Sequence, residues 1–245
     1  MSNQLSLSNI RNVLTRLEET IIFGLIERAQ FRQNRVIYER DGVGKELAGE
    51  SLVGFLLHEC ECSHAKVRRY TSPDEHPFYD DLPEPILPAA VYDNPLHPNA
   101  INVNGRIRTV YEEEIVPFVC EAGEDGQWGS SAVNDVMNLQ SISKRIHYGK
   151  FVAESKFQSN STALEAVIRA GDREALISAI TDEDVESKVL ERVLRKASTY
   201  GRELEAEDDS YRVRPEVVRD IYARWIIPMN KEVQVEYLLQ RLSGG

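Results

Sequence analysis

Seven of the ten prolines fall between Pro73 and Pro98, in SPDEHPFYDDLPEPILPAAVYDNPLHP, and the long stretches on either side hold almost none. Proline removes a backbone donor and collides with the preceding turn, so this stretch cannot stay helical, while its flanks are free to be. The flanks use that freedom. Ile10, Leu14, Leu17, Ile21, Ile22, Leu25 and Ile26 recur every three or four positions, which predicts an amphipathic helix over 8–31. The same period predicts helices over 51–70, 110–120, 132–157, 185–200 and 215–242. Thr162 with Glu165 suits a capping box, Gly201 a helix end and Pro215 a first helical turn. No segment alternates with period two, so the expected fold class is all-α, a bundle of long helices. Phe78, Tyr79, Ile86 and Leu87 predict that the proline-rich loop, about 71–104, packs against the helices, so 1–245 is expected to form one domain.

A chain of 245 residues can bury roughly 70 to 75% of its unfolded surface, enough for a core without staples. Cys60, Cys62 and Cys120 are too few for a disulfide framework and favour a reducing compartment. The stretch MSNQLSLSNIRN lacks the layout of a signal peptide, and no apolar run approaches a membrane span of ~20 residues, so the expected location is cytoplasmic. The net charge of -11 argues against nucleic acid or anionic membrane as partners, since both require a basic surface.

Two stretches imitate motifs. In HECECSH the i, i+4 pairs His58/Cys62 and Cys60/His64 point about 200° apart on a helix and cannot share one tetrahedral shell, so no metal is expected. DGVGKE resembles a phosphate loop, but Glu39 replaces its first glycine and Glu46 its Ser or Thr, so it predicts a turn. The basic stretch KRIHYGKFVAESKFQ, 144–158, is more informative. Arg145 and Lys156 lie eleven residues apart, three helical turns plus about 20°, and share a face with Gly149 and Val152. Glycine inside a helix costs about 1 kcal/mol relative to alanine. Gly149 therefore either leaves room for an anion held between the two cations or admits another backbone. His147 points the opposite way and is expected to pack rather than react, and Lys144 and Lys150 are expected to reach water. Asp182 with Glu186, and Asn230 with Gln234, form further polar pairs at helical spacing. Periodicity alone supports a helical protein with an anion pocket.

LSNIRNVLTRLEETIIFGLIERAQF, HAKVRRYTSPDEHPFY, LQSISKRIHYGKFVAESKFQ and IIPMNKEVQVEYLLQRL resemble, in order, the all-helical chorismate mutases of fungi and plants, from about Leu5 to Leu242. That resemblance implies conversion of chorismate to prephenate toward phenylalanine and tyrosine, with no cofactor. It places Arg11 and Arg145 on substrate carboxylates, Lys156 on a carboxylate and the ether oxygen, Gln234 on the ether oxygen and Glu186 on the ring hydroxyl. Asp182 and Asn230 fall at pocket positions that vary in the family. It also implies a homodimer with tyrosine or tryptophan as effector, Arg68, Arg69, Gly129 and Ser130 matching effector positions. Val133 and Arg214 depart from the regulated pattern, each standing where a fungal relative has threonine. The alternative is a catalytically inactive helical regulatory or interaction protein on the same scaffold.

Overall fold

The structure, a computed structural model, describes residues 6–202 and 211–242, without the side chains of 7 and 8. Helix α1, Leu7–Arg28, begins where Ser6 accepts from the Asn9 amide and sends Ile10, Ile21, Ile22, Leu25 and Ile26 into the core. Helix α2, Leu52–Lys66, is capped in the same way by Ser51. Helix α3 runs through Asn104–Val110, a π-helical turn Tyr111–Ile115 and Val116–Val119. Helices α4, Trp128–His147, and α5, Gly149–Ser159, follow almost without interruption, then α6, Ser161–Ala170, and α7, Arg173–Ile180. Helix α8 is Glu183–Tyr200, and α9 combines Pro215–Ile221, a π-helical turn Tyr222–Ile226 and Ile227–Arg241. The fold is all-α, and among the described residues the only β pairing is an isolated bridge between Arg202 and Tyr211.

The two π-helical turns share a cause. Each precedes a proline, Pro117 or Pro228, whose ring would strike the carbonyl four residues back, and the wider turn relieves the clash. The helix expected over 132–157 is divided at Tyr148, and Gly149 opens its second half. A Cβ on Gly149 would stand 2.7 Å from the Asn230 carbonyl oxygen, so this glycine admits the α9 backbone rather than a bound anion. Close packing of α5 on α9 is the result.

The proline-rich loop is irregular and anchored mainly at its two ends. Fully buried Glu61 of α2 accepts from the Phe78 amide at 2.9 and 3.0 Å and from the Tyr79 amide at 3.2 Å. At the far end, the His97 amide donates to the Tyr237 hydroxyl. Phe78 and Tyr79 pack against the core as expected, but Ile86 and Leu87 are 74% and 40% exposed. Two further expectations fail. Thr162 does not cap α6, since Asn160 precedes the helix and Glu165 pairs with Arg169, and Lys150 is buried rather than solvated. Helix α7 was not anticipated, although Asp172 caps it through the Ala175 amide.

Inside the bundle, Arg28 of α1 meets Asp135 of α4 at 2.8 Å, and the Tyr38 and Tyr111 hydroxyls donate to the same carboxylate at 2.7 Å. Arg28 also donates to the Arg32 and Gln33 carbonyls, so the buried pair is closely satisfied. This network fixes α1 against α4, the two helices that carry the first two arginines of the site.

Candidate active site

Positions 11, 14, 15 and 18 of α1 follow the i, i+3, i+4, i+7 pattern of a single helix face. Arg11, Leu14, Thr15 and Glu18 accordingly line one wall of a cavity of about 330 Å³. Val185, Lys188, Val189 and Arg192 of α8 form the opposite wall, and Arg145 closes the end. Four cations thus face one carboxylate. That carboxylate, Glu18, is fully buried and already engaged by Arg192 at 2.8 Å and Lys196 at 3.5 Å.

Arg145 is only 5% exposed, yet its Nε and Nη1 meet no acceptor among the described residues. Burial pushes its pKa down, and the Tyr222 hydroxyl and Glu18 pull it partly back. Tyr222 itself is fully buried with its hydroxyl unpartnered. A desolvated guanidinium with open donors is costly alone and suited to a planar anion with two oxygens.

Behind Arg145 runs a chain of directed hydrogen bonds. Lys156 Nζ donates to Gln234 Oε1 at 3.1 Å, Gln234 Nε2 donates to Asn230 Oδ1 at 2.9 Å, and Asn230 Nδ2 donates to the carbonyls of Arg145 and Ile146 at 3.2 and 3.0 Å. Lys156 also donates to the Ile180 carbonyl. An ammonium has three donors and an amide two, so Lys156 and Gln234 each keep one N–H for a ligand. Burial lowers the Lys156 pKa, opposed by Glu186 and Asp182.

The sequence-predicted residues therefore fall into groups. Arg11 and Arg145 share the cavity wall, and Lys156, Gln234 and Asn230 form the chain that ends on the Arg145 carbonyl. Glu186 is paired with Lys231 at 3.0 Å. Asp182 uses its carboxylate to cap α8 through the Val185 amide at 3.1 Å, and Asn230 commits both ends of its amide within the chain. Glu18, Lys188 and Arg192 escaped the sequence reading. The spacing of Glu18 from Arg11 was a usable signal, but α8 could not be assigned to the same cavity from sequence.

Residues 132–235 match the family described as chorismate mutase type II. Chorismate mutase 1, chloroplastic, from Arabidopsis thaliana is 45% identical over 258 residues, covering 99% of this chain and 76% of that protein. The chain belongs to the chorismate mutase family. A crystal structure of the Candida albicans chorismate mutase Aro7p in complex with L-Trp shares 40% identity and a TM-score of 0.93, covering 98% of this chain and 93% of that one. A crystal structure of AtCM1 with phenylalanine bound in its allosteric site shares 47% identity and a TM-score of 0.91, covering 98% of both chains. The inactive-scaffold alternative finds no support in these matches. In this chorismate mutase chain, Arg69 follows α2 and contacts Glu75 at 3.0 Å, His64 at 3.0 Å and Gln140 at 3.3 Å. Arg68 adopts φ 69° and reaches the Pro88 carbonyl. Gly129 and Ser130 lie exposed in the first turn of α4. Gln140 is ten residues along α4 from Ser130, about 15 Å at 1.5 Å per residue, so one chain does not gather the four effector candidates.

Proposed function

We propose that this chorismate mutase rearranges chorismate to prephenate in the cavity between α1, the end of α4 and α8, with Arg145 as its anion anchor. The observation that carries the assignment is the buried Arg145 guanidinium, whose Nε and Nη1 lack any acceptor among the described residues. Chorismate is a dianion, and its rearrangement is unimolecular: the ether C–O bond breaks while a C–C bond forms. The reaction needs no nucleophile. What accelerates it is a compact substrate conformer and donors already aimed at the charge that grows on the ether oxygen.

Arg11 and Arg145 hold the carboxylates, with the planar guanidinium of Arg145 offering two parallel donors. Lys156 and Gln234 direct their remaining N–H groups at the ether oxygen and, for Lys156, at a carboxylate. Glu186 accepts from the ring hydroxyl. Asn230 and Asp182 act as positioning residues, one tying Gln234 to the α4 backbone and the other fixing the start of α8. The same reading gives a cytoplasmic enzyme built as one domain and working as a homodimer. An aromatic amino acid effector, tyrosine or tryptophan, bridges Arg68 and Arg69 of one copy and Gly129 and Ser130 of the other.

Loss of chorismate absorbance in a purified sample tests the assignment. Arg145→Ala and Lys156→Ala should each lower kcat/KM by about a hundredfold or more, as for other preorganised donors. Near-normal turnover in Lys156→Ala would remove the site from this position.

A further inference from the structure

Helix α1 separates two cavities of opposite charge. Asn9 and Val13, four residues apart, face away from the anion cavity and line a second one of about 290 Å³, at the small end of ligand pockets. Its wall carries Asp74 and Asp93 and no lysine or arginine. Asp74 is held by Ser72 and by Lys144 at 2.9 Å, and both contacts favour its ionised form. Asp93, in the middle of the proline-rich loop, makes no hydrogen bond or ion pair among the described residues.

The remaining wall is aromatic. Tyr92 comes from the loop, and Tyr148 and Phe151 from the α4–α5 junction, where their rings stack with centroids 4.7 Å apart. Tyr148 as a whole is only 8% exposed, and its hydroxyl, open to the cavity, makes no hydrogen bond to the described residues. Burial and then Asp74 raise its pKa while Lys144 and Arg16 oppose them, so that hydroxyl lies in the field of the cavity's own carboxylate and of two cations beyond the lining.

Carboxylates beside aromatic faces attract organic ammonium groups through charge and through the ring quadrupole. A metal ion is a poorer occupant, because no group of three or more His, Cys, Asp or Glu suited to a metal occurs among the described residues. A zwitterion is also disfavoured, since the lining supplies two carboxylates and no lysine or arginine, and the neighbouring Lys144 is already paired with Asp74 and Glu75. We propose that the cavity enclosed by Asp74, Asp93, Tyr92, Tyr148 and Phe151 binds a small primary ammonium with a flat apolar body. Such a ligand ties the proline-rich loop to α1, whose other face lines the anion cavity.

Titration calorimetry of the full chain with tyramine at low salt tests this. One saturable site per chain is expected, weakened as salt screens the charges. Asp93→Asn, an exposed loop substitution, should weaken binding about tenfold, as expected for loss of a charge-assisted contact. Tyr148→Phe keeps the ring stack and should weaken it in the same direction by a smaller factor. Tyrosine, which adds a carboxylate to the same body, should fail to displace tyramine at equal concentration. Circular dichroism checks that both variants keep their helices. The proposal is overturned if no saturable heat appears, if Asp93→Asn binds tyramine as tightly as the parent, or if tyrosine competes equally.

Discussion

At the scale of single residues, Gln234 decides how the site responds to pH. Its Oε1 accepts from Lys156 and its Nε2 donates to Asn230, which leaves one amide N–H for the ether oxygen. An amide donates at any pH, whereas a carboxyl group donates only when protonated. Gln234→Glu should therefore lose activity as pH rises through the carboxyl pKa and show its optimum on the acid side. The parent should remain active through neutral and mildly alkaline pH, until Lys156, lowered by burial, loses its proton below the ordinary lysine range. A pH profile of kcat/KM for both proteins checks this, and superimposable profiles would remove Gln234 from the ether oxygen. Helical spacing alone singled out Arg145 with Lys156 and Asn230 with Gln234 as polar pairs, whereas Arg11 and the role of each candidate entered only through the family resemblance. Arg192 and Lys188 were hidden because their role depends on α8 crossing α1, a tertiary contact that no local period encodes.

At the scale of elements, the proline-rich loop depends on a buried histidine pair. The His76 and His147 rings stack with centroids 4.2 Å apart and planes within 10°. His147 Nδ1 donates to the Ser143 carbonyl and its Nε2 accepts from the Val103 amide at 3.0 Å, just where the loop meets α3. Lys150 Nζ donates to His76 Nε2 at 2.7 Å and to the Ile101 carbonyl. Burial lowers His147 to about 4 and His76 to about 2, with Lys150 pushing both the same way. Both imidazoles are neutral in the fold and titrate near 6.5 in the unfolded chain. The unfolded state binds more protons below that value, so their contribution is complete above pH 6.5 and lost as pH falls toward 4. For His147 alone the interval corresponds to about 3 kcal/mol, since each pKa unit is worth about 1.4 kcal/mol. Urea midpoints should fall between pH 6.5 and 4.5, and hydrogen exchange at the Val103 amide should accelerate over the same range. His147→Gln should flatten this dependence; an unchanged slope would place the acid sensitivity elsewhere. The helices themselves were readable from spacing and proline placement. Burial of Lys150 and the break at Tyr148 were not, because both arise from what packs against α5: the loop on one side and the Asn230 backbone on the other.

At the scale of the whole molecule, the surface bears on assembly. The effector candidates Arg69 and Ser130 are separated by the length of α4 between Gln140 and residue 130, so a single aromatic amino acid cannot touch both within one chain. Two copies related by a twofold axis can present the Arg68–Arg69 corner of one to the α4 start of the other. The exposed apolar side chains on α2 and α4 favour such a contact. Phe55, Val133 and Met137 are 41%, 51% and 59% exposed, and a lone surface would leave them wet. Light scattering should give twice the chain mass at micromolar concentration, and Met137→Asp should shift the mass toward one chain. Tyrosine or tryptophan titrated into the chorismate assay should change the rate of the dimer by a saturable factor, and Arg69→Ala should abolish that response without abolishing turnover. Arg69 suits the test because its contacts, to Glu75, His64 and Gln140, lie outside the anion cavity. A mass of one chain would remove the shared effector site. A dimer with flat titration curves would instead show that the departures at Val133 and Arg214 have uncoupled an assembled interface from catalysis.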